Sequence, residues 1–390
     1  MKKVIVIHYD EIGTKGANRP DFEKAFLNDI KRRFKNLRAQ DIWGRILVFL
    51  EKENTFDYKR ILKQTPGVAT FGSGYFLDKD VSIDKIGEFA IALFDSAHPT
   101  NFAVRVKRVD KSVSGTSQEF ERKIGEHIFE YFNKQIPVKL SGPEFLVAVE
   151  FLHKGILVYR KEKGIGGLPV GVSGKAISLL SGGFDSPVAT YRLIKRGVIP
   201  VGAHFHGMPK TSPKAIEKVM EISRILSNYT GDFDLYLIPT LDAMQEIAKK
   251  VPDKLRLIIL RRFMMRVVNN LANQVDAKAI ITGESVGQVA SQTLANLGAI
   301  AEASKLPILR PLSGDNKNEI INEAREIGTH DISAQPHDDT CSLFVPKHPE
   351  TNAKLKEVLE AEALYDIDKL IKYALENTEL KKINYVDPKI

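Results

Sequence analysis

Cysteine is nearly absent from this sequence, since Cys341 is the single one among 390 residues. One thiol cannot form an intrachain disulfide, which indicates a reducing compartment, and we expect the protein in the cytoplasm. Long apolar runs are absent as well. The first one, 4–7, is too short for a signal peptide, and the most apolar stretch, 255–271, contains four arginines. We therefore expect no membrane span.

Negative charge is scarce in the first part of the chain. Residues 1–170 contain 29 Lys and Arg against 22 Asp and Glu, whereas residues 171–390 contain 28 against 27. Almost all of the net charge of +8 therefore lies in the first 170 residues. The phosphate backbone of a nucleic acid is the expected partner for such a surface, and a lysine-rich solvated surface is the alternative.

The most informative motif is the hexapeptide SGGFDS at 181–186. It follows an apolar, strand-like run, 176–180, and precedes a helix-like segment. A strand, a glycine-rich turn and a helix N-terminus together form a phosphate-binding loop, because backbone N–H groups can approach anionic oxygens there. We expect Ser186 to be the N-cap of the helix and Pro187 its first residue.

The hexapeptide is not a Walker A loop, because the GxxxxGK[ST] spacing and its lysine are missing. It resembles the PP-loop, SGGxDS, of ATP pyrophosphatases, which cleave ATP between the α- and β-phosphates. An ordinary serine-glycine turn is the alternative interpretation.

The region 172–390 alternates between strand-like and helix-like segments, which predicts a doubly wound α/β fold with a parallel sheet. Ligands of such sheets bind outside the carboxyl ends of the strands. The predicted strands are 176–180, 199–205, 235–238, 279–282 and 308–309. The predicted helices are 188–195, 214–229, 255–275, 286–301 and 317–327.

Two smaller α+β blocks precede this region. The first, 1–65, has the β-α-β-α order of a ferredoxin-like unit. The second, 66–165, contains an alternating strand, 102–109, that places Arg105 and Lys107 on one face and valines on the other. The segment 163–171 is rich in glycine and proline, which indicates the main domain boundary.

Strand-end residues elsewhere in 172–390 are expected to line the same crevice as SGGFDS. His204 and Phe205 end the second strand and are placed to contact an adenosine. Gly283 follows the fourth strand and would let a ligand approach the backbone. Gln288 and Gln292 would share one face of the helix 286–301 and point together towards the site.

Two further positions have open interpretations. Arg261 and Arg262 lie in an otherwise apolar helix, where one of them would reach the phosphates or both would pair with acidic neighbours. Cys341 lies in the polar segment HDDTCSLFVPKHP, in which nearby His337, Lys347 or His348 would favour its thiolate. A small buried cysteine without chemistry is the alternative.

Taken together, these motifs resemble the tRNA 4-thiouridine synthetases, the sulfurtransferase family known as ThiI, over the whole chain. The matching segments are GTKGANR (13–19), VRVKRVDKSVSGTSQEFERKIGEHI, SGGFDS, ITGESVGQVASQT and DDTCSLFVPKHP. The resemblance implies a ferredoxin-like domain (1–65), a THUMP RNA-binding domain (66–165) and a PP-loop ATP pyrophosphatase domain (172–390).

The resemblance also implies functional residues. The expected RNA contacts are Arg105, Lys107, Arg108 and Lys111. Asp185 would act on Mg²⁺ and the pyrophosphate, and Cys341 would handle sulfur. The expected ATP contacts are Leu179, Leu180, Ser181, Gly182, Gly183, Phe184, Ser186, His204, Phe205, Arg261, Gly283 and Gln292.

The implied reaction is adenylation of uridine 8 of tRNA at O4, followed by replacement of that oxygen with sulfur from a persulfide. The implied partners are tRNA, gripped near its acceptor end, a cysteine desulfurase, a thiamine-pathway sulfur carrier protein and a second copy of the chain. Many members add a rhodanese-like domain with a second cysteine, which this sequence lacks, so we expect no intramolecular disulfide in the reaction.

Two other functions are open. One is a different PP-loop tRNA thiolase, of the 2-thiouridine type, although such enzymes generally use more than one cysteine. The other is a non-catalytic THUMP protein that only binds RNA. The complete SGGFDS motif favours an enzyme.

Overall fold

The computed structural model describes residues 1–35, 37–42, 44–51, 57–94, 97–210, 212–336 and 349–385. The chain divides into two compact units, of which the first comprises Met1–Pro169 and the second begins at Val170. Within the ranges given above, no helix combines the length and the apolar character that crossing a bilayer requires.

Eight strands of the described part of the first unit form one sheet. They are β1 (Lys2–Tyr9), β2 (Arg38–Asp41), β3 (Arg45–Phe49), β4 (Val68–Leu77), β5 (Phe102–Arg108), β6 (Phe145–Leu152), β7 (Gly155–Arg160) and β8 (Glu162–Lys163). The order is β2-β3-β1-β4-β7-β6-β5, with β8 paired to β4. The β5–β6 pair is parallel and the other pairs are antiparallel.

Four helices accompany this sheet in the described residues: α1 (Arg19–Arg33), α2 (Tyr58–Lys63), α3 (Ile83–Ala92) and α4 (Ser117–Tyr131). The first two share a hydrophobic core with β1, β3 and β4, and the last two share another with β5, β6 and β7. Strand β4 links the two halves because it pairs with both β1 and β7. The predicted boundary at residue 65 stays a prediction, since one sheet runs through both parts.

Strand β4 has no counterpart among the predicted strands, and its glycines explain why. A Cβ on Gly72 would lie 1.7 Å from the Arg160 carbonyl oxygen and 2.9 Å from Cδ2 of Tyr159. Close approach of β4 to β7 therefore requires glycine, although glycine is depleted in strands and weakens the strand signal in a sequence.

A buried ionic cluster lies in the same sheet, around Glu150 of β6. The Glu150 carboxylate accepts a hydrogen bond from the Tyr159 hydroxyl (2.8 Å) and forms ion pairs with His8 Nε2 (2.9 Å) and Arg45 Nη2 (2.7 Å). These partners come from β1, β3 and β7. Four strands of the sheet thus contribute a side chain each to this ionic cluster.

The second unit contains β9 (Lys175–Leu179), β10 (Ile199–His206), β11 (Phe233–Pro239), β12 (Ala277–Ile281), β13 (Ile308–Leu309) and β14 (Glu379–Ile383). Its helices are α5 (Asp185–Ile194), α6 (Pro213–Thr230), α7 (Leu241–Lys250), α8 (Arg256–Val275), α9 (Leu294–Ala301), α10 (Lys317–Ile327), α11 (His330–Ser333), α12 (Leu355–Glu362) and α13 (Ile367–Glu376).

The strands of the second unit form a sheet in the order β13-β12-β9-β10-β11-β14. The neighbours from β13 to β11 are parallel, which confirms the predicted doubly wound fold. After β11 the chain crosses to the other side of β9 to form β12. The order therefore reverses between β9 and β12, and such switch points are where open α/β sheets bind ligands.

Three predictions about local structure are wrong. The predicted helix 286–301 is a helix only over Leu294–Ala301, because Gly287 takes a positive φ of 76° and a short 3-10 turn follows at Ala290–Gln292. Helix α5 begins at Asp185, so Ser186 is not its N-cap and Pro187 is not its first residue. Strand β14, absent from the predictions, pairs antiparallel with β11.

Candidate active site

A cavity of about 210 Å³ lies at the carboxyl ends of β9, β10 and β12. It therefore occupies the switch point of the sheet. Its lining comprises Leu179, Leu180, Ser181, Gly183, Asp185, Ser186, Ala203, His204, Phe205, Arg261, Met264, Thr282, Gly283, Glu284 and Gln292. The fold thus brings together the SGGFDS loop, the end of β10 and the segment that follows β12.

Eleven of the thirteen residues predicted to contact the nucleotide or its metal lie on this lining. Gly182 and Phe184 belong to the same loop but are not among the lining residues. Four others line the cavity without having been predicted: Ala203, Met264, Thr282 and Glu284. Thr282 and Glu284 flank Gly283 in sequence, so the turn after β12 contributes as a whole.

Hydroxyl groups hold the SGGFDS loop in shape. The backbone N–H of Ser181 donates to Ser186 Oγ (2.8 Å), and the N–H of Gly183 donates to Ser181 Oγ (3.4 Å). Ser186, the second residue of helix α5, thus joins the end of the loop to its first residue by a hydrogen bond. One turn further, the hydroxyls of Thr190 and Ser178 are 2.6 Å apart and tie α5 to β9. These hydrogen bonds thus connect the loop to both α5 and β9.

Asp185 is held by two side chains from other elements. Its carboxylate accepts from Lys317 Nζ at 2.6 Å and from Gln288 Nε2 at 2.9 Å. Lys317 is the first residue of α10, and its ammonium lies 5.5 Å from the ring centre of Phe184. A cation, a carboxylate and a helix N-terminus therefore meet at the loop.

Lys317 is a site residue that sequence reasoning missed. A signal for it exists, because Asn316 and Glu319 form a capping box that marks the start of α10. Acidic residues are favoured in the first turn of a helix, so a lysine at the first position has an unfavourable electrostatic environment unless an anion is close. In the structure that anion is Asp185.

Gly283 lines the cavity, and its lack of a side chain also serves the packing of the loop. A Cβ at this position would lie 2.6 Å from the backbone nitrogen of Ser186 and 2.7 Å from the carbonyl carbon of Asp185. The start of α5 therefore occupies the space that a side chain would need, and contact of Gly283 with a ligand stays a prediction. The glycine allows the turn after β12 to pack directly on the loop.

The two arginines of α8 have separate environments. Arg261 lines the cavity, and its Nη1 is 3.7 Å from Glu284 Oε1. Arg262 is fully buried and its Nη2 lies 2.8 Å from both Glu362 and Glu302. Both arginines thus have acidic neighbours, and Arg261 in addition lines the cavity, so a contact of Arg261 with phosphates stays a prediction.

Glu284 is a buried carboxylate that organises the wall of the cavity. It accepts from Arg310 Nε at 2.7 Å and from the Thr282 hydroxyl at 2.9 Å, in addition to its contact with Arg261. Because all these groups are polar and shielded from water, their positions are mutually fixed. Arg261 is therefore directed by Glu284.

The histidines of β10 differ in their surroundings. His204 is buried on the cavity wall, and its Nδ1 donates to the Leu180 carbonyl oxygen at 3.0 Å. This bond joins the end of β10 to the start of the SGGFDS loop. Burial lowers the pKa of His206, and the nearby charge of Glu379 opposes that shift. At neutral pH, His206 is therefore uncharged.

The remaining predicted residues are not among those that line the cavity, or they fall outside the described ranges. Cys341, in the segment 337–348, is outside the described residues. In the first unit, Arg105, Lys107 and Lys111 are exposed, and β5 shows the predicted alternation of charged and buried residues. Arg108 is half-buried and donates through Nη2 to the Lys111 carbonyl oxygen (3.0 Å).

Asp185 is an acidic group of the cavity lining with a position suited to a metal that arrives with phosphates. Over the described ranges, no cluster of three or more His, Cys, Asp or Glu is arranged to hold a metal ion. Asp185 lies on the cavity, with its side chain one-fifth exposed. One or two carboxylates together with substrate phosphates are the usual protein environment of Mg²⁺, so the donor set fits a phosphate-bound Mg²⁺.

Comparison with known proteins gives a consistent result along the whole chain. Three family models match it: "ThiI ferredoxin-like domain" at 4–72, "THUMP domain" at 81–160 and "Thiamine biosynthesis protein (ThiI)" at 171–367. The expected composition of ferredoxin-like, THUMP and PP-loop domains is thereby confirmed.

Relatives and a solved structure agree with these models. A "Probable tRNA sulfurtransferase" of Caldanaerobacter subterraneus subsp. tengcongensis is 40% identical, over 95% of this chain and 97% of the relative. One of Coxiella burnetii is 39% identical over 98% and 100%. A crystal structure of a 4-thiouridine synthetase–RNA complex with bound ATP matches with a TM-score of 0.88 and 34% identity, over 98% of this chain and 100% of that chain.

Proposed function

The chain belongs to the ThiI family of tRNA sulfurtransferases, and from this premise we propose that it is an ATP-dependent enzyme that converts a uridine of tRNA into 4-thiouridine. The observation that carries the proposal is the position of the SGGFDS loop on a cavity at the switch point of the sheet. The loop is closed by Ser181 and Ser186, and its backbone N–H groups and the start of α5 suit the phosphates of ATP.

In the first step, O4 of uridine 8 attacks the α-phosphorus of ATP. The bond to the β-phosphate oxygen breaks, and pyrophosphate leaves. Negative charge grows on the leaving phosphates, and the groups placed to stabilise it are the loop N–H groups, Lys317 and Arg261. Mg²⁺, when bound through Asp185, would neutralise part of that charge. ATP is here a substrate, and its adenylate makes O4 a good leaving group.

In the second step, sulfur replaces the activated oxygen. A terminal sulfur of a persulfide attacks C4 and AMP leaves with the former O4. If Cys341 carries the persulfide, donated by a cysteine desulfurase, its Sγ is then linked through sulfur to C4. An external thiol attacks Sγ of Cys341, which releases 4-thiouridine and leaves a mixed disulfide, and a second thiol restores the free cysteine.

The first unit supplies the surface for RNA. We propose phosphate contacts at Arg105, Lys107, Arg108 and Lys111. Arg105 and Lys107 alternate along the exposed face of β5, Arg108 ends that strand, and the exposed Lys111 lies in the turn that follows. Family membership further supports binding of the acceptor end of tRNA, a homodimer and a cytoplasmic location. It also supports delivery of sulfur to a carrier protein of the thiamine pathway.

The test is product analysis with the whole protein. The chain is incubated with unmodified tRNA, ATP, Mg²⁺, a cysteine desulfurase and cysteine, and the nucleosides are analysed by mass spectrometry. We expect 4-thiouridine together with stoichiometric AMP. Formation of 2-thiouridine would instead assign the chain to another kind of thiolase. RNA binding without pyrophosphate or AMP would identify a binding protein and contradict the proposal.

A further inference from the structure

Arg192 of α5 binds three groups of the chain that leads into and forms α10. Its Nε donates to Glu323 Oε2 at 2.8 Å, and its Nη1 donates to the Pro311 carbonyl oxygen at 2.9 Å and to the Asp315 carboxylate. Glu323 lies in α10, whereas Pro311 and Asp315 precede that helix. A guanidinium presents five N–H donors in a rigid planar arrangement, so one side chain can fix several acceptors at once.

These ionic groups are largely shielded from solvent. The side chain of Arg192 is 28% exposed, and those of Asp315 and Glu323 are 25% and 20% exposed. Fully exposed ion pairs contribute little, whereas groups with less access to water hold each other more firmly. Loss of the guanidinium would also leave two carboxylates without the cation that they share. Arg192 is therefore expected to constrain the start of α10 strongly.

The position of Arg192 on α5 gives this constraint a direction. Arg192 follows Asp185 by seven residues, which is close to two turns, so both side chains lie on one face of α5 about 10 Å apart along its axis. Helix α10 binds both: Lys317 pairs with Asp185 at 2.6 Å, and Glu323 pairs with Arg192 at 2.7 Å. Two helices with a single contact can turn about it, whereas a second contact at this distance fixes the angle between them.

The segment before α10 is tied to the wall of the cavity as well. The Ser285 hydroxyl donates to the Asp315 carbonyl oxygen at 2.9 Å, and the Val286 N–H donates to the Ser313 carbonyl oxygen at 3.2 Å. These bonds hold the segment to the turn after β12. Arg192 adds a connection to α5, the helix that begins with Asp185.

We propose that Arg192 is a positioning residue for adenylation, which acts by holding the start of α10 so that the ammonium of Lys317 lies at the leaving phosphates. The inference rests on the proposed function, which places Lys317 there. Stabilisation of developing charge requires groups that are already in place, and a small misplacement lowers the rate by a large factor. Arg192 is not among the residues that line the cavity, so its effect is expected to pass through Lys317.

A double-mutant cycle tests this dependence with the whole protein. Wild type, Arg192→Gln, Lys317→Met and the double variant are compared in the single-turnover release of pyrophosphate with tRNA, ATP and Mg²⁺. We expect a rate about tenfold lower in Arg192→Gln and about a hundredfold lower in Lys317→Met. The double variant should stay within about twofold of Lys317→Met, because residues that act through one another are not additive.

Two further variants control for effects on folding. Arg325→Gln removes an exposed arginine of α10 that donates to Asn322, and it should keep the wild-type rate. Urea unfolding of every variant measures its stability. Should Arg192→Gln fail to fold, Glu323→Gln takes its place in the cycle, since it keeps the arginine and removes the charge of one partner.

A second measurement does not depend on turnover. Calorimetry without tRNA gives the affinity of the same four proteins for Mg²⁺–ATP. We expect Arg192→Gln and Lys317→Met each to weaken this affinity, and the double variant to match Lys317→Met within about twofold.

The outcomes are distinct. Effects that multiply, so that the double variant is about tenfold slower than Lys317→Met, would show that Arg192 acts independently of Lys317 and overturn the inference. A wild-type rate and affinity of Arg192→Gln would overturn it as well. A wild type that binds Mg²⁺–ATP but releases no pyrophosphate with tRNA would contradict the proposed function, and the affinities would still decide the inference. A wild type that binds no nucleotide would overturn both.

Discussion

At the scale of single residues, the proposed function makes Asp185 the carboxylate on which the first step is expected to depend. Asp185→Ala removes the acidic group that faces the phosphates and leaves Lys317 without its anion. We expect pyrophosphate release to fall at least about a hundredfold, as for other losses of transition-state charge stabilisation. A pyrophosphate assay with tRNA and Mg²⁺ measures this. Binding of tRNA is the control, and unchanged pyrophosphate release would contradict the role of Asp185.

For Cys341 we expect loss of the second step of the proposed reaction and not of the first. Cys341→Ser removes the nucleophilic sulfur and changes none of the described residues that line the cavity, so pyrophosphate release is expected to persist while 4-thiouridine disappears. Mass spectrometry of the tRNA nucleosides and a pyrophosphate assay on the same sample measure both steps. Normal thiolation by the serine variant, with a cysteine desulfurase as the donor, would show that Cys341 has no part in sulfur transfer.

A substitution of Gly283 tests whether the turn after β12 must pack closely on the SGGFDS loop. In Gly283→Ala the new methyl group would lie 2.6 Å from the Ser186 nitrogen, so either the loop or the turn after β12 must move. We expect a pyrophosphate release rate at least about tenfold lower and a weaker affinity for ATP. Gly298→Ala in α9, where nothing lies within 4 Å of the added carbon, is the matched control and should keep full activity. Equal activities of the two variants would contradict this account.

At the scale of elements, the cluster around Glu150 ties four strands of the first unit together. Burial alone would raise the pKa of Glu150, but hydrogen bonds from His8 and Tyr159 and the charges of His8 and Arg45 outweigh it and bring the pKa to about 2. An unfolded glutamate titrates near 4.3, so the ionised form stabilises the fold by about 3 kcal/mol. This stabilisation is complete above about pH 5 and is lost as the pH falls towards 2.

The expected result is a pH-dependent difference in unfolding free energy. Glu150→Gln should be less stable than wild type at pH 6 by about 3 kcal/mol, and the difference should shrink by about 1–2 kcal/mol at pH 3. Urea unfolding at both pH values measures this. Glu126→Gln on the exposed face of α4 is the control and should change little at either pH. A difference that is the same at pH 6 and pH 3 would contradict the assignment.

Helices and strands were predictable from the sequence where a single pattern of apolar and turn residues determines where they begin and end. Strands β9, β10 and β12 are apolar runs bounded by turn residues, and α10 matches its prediction at both ends. The predicted helix 286–301 is wrong because apolar spacing outweighed Gly287, whose conformation interrupts the helix. Strand β14 contains Glu379, Lys381 and Lys382, as edge strands often do, and therefore lacks an apolar signal.

The site was predictable to the extent that its residues are contiguous. The loop and the strand ends follow from the motif and from the rule for parallel sheets. Lys317 and Gln288 reach Asp185 from more than 100 residues away, and only tertiary structure places them there.

At the scale of the whole molecule, the excess of positive charge in the first unit predicts salt-dependent binding of tRNA. Replacing Lys107 and Lys111 together by Gln should weaken the affinity of the protein for tRNA at every salt concentration. It should also reduce the slope of log K against log salt concentration by about one for each phosphate that is no longer neutralised. Filter binding over a series of KCl concentrations measures both. The exposed Lys356 and Lys372 of the second unit, replaced together, are the control. An unchanged slope in the Lys107 and Lys111 variant would place the RNA elsewhere.

Under the proposed function, the pairing of Lys317 with Asp185 would make nucleotide binding an exchange of ions. The two opposite charges lie 2.6 Å apart and compensate each other. A nucleotide that brings its own Mg²⁺ would supply a new partner for each: metal for the carboxylate and phosphate for the ammonium. We therefore expect the cavity to favour the metal–nucleotide complex over a lone divalent cation or a lone polyphosphate.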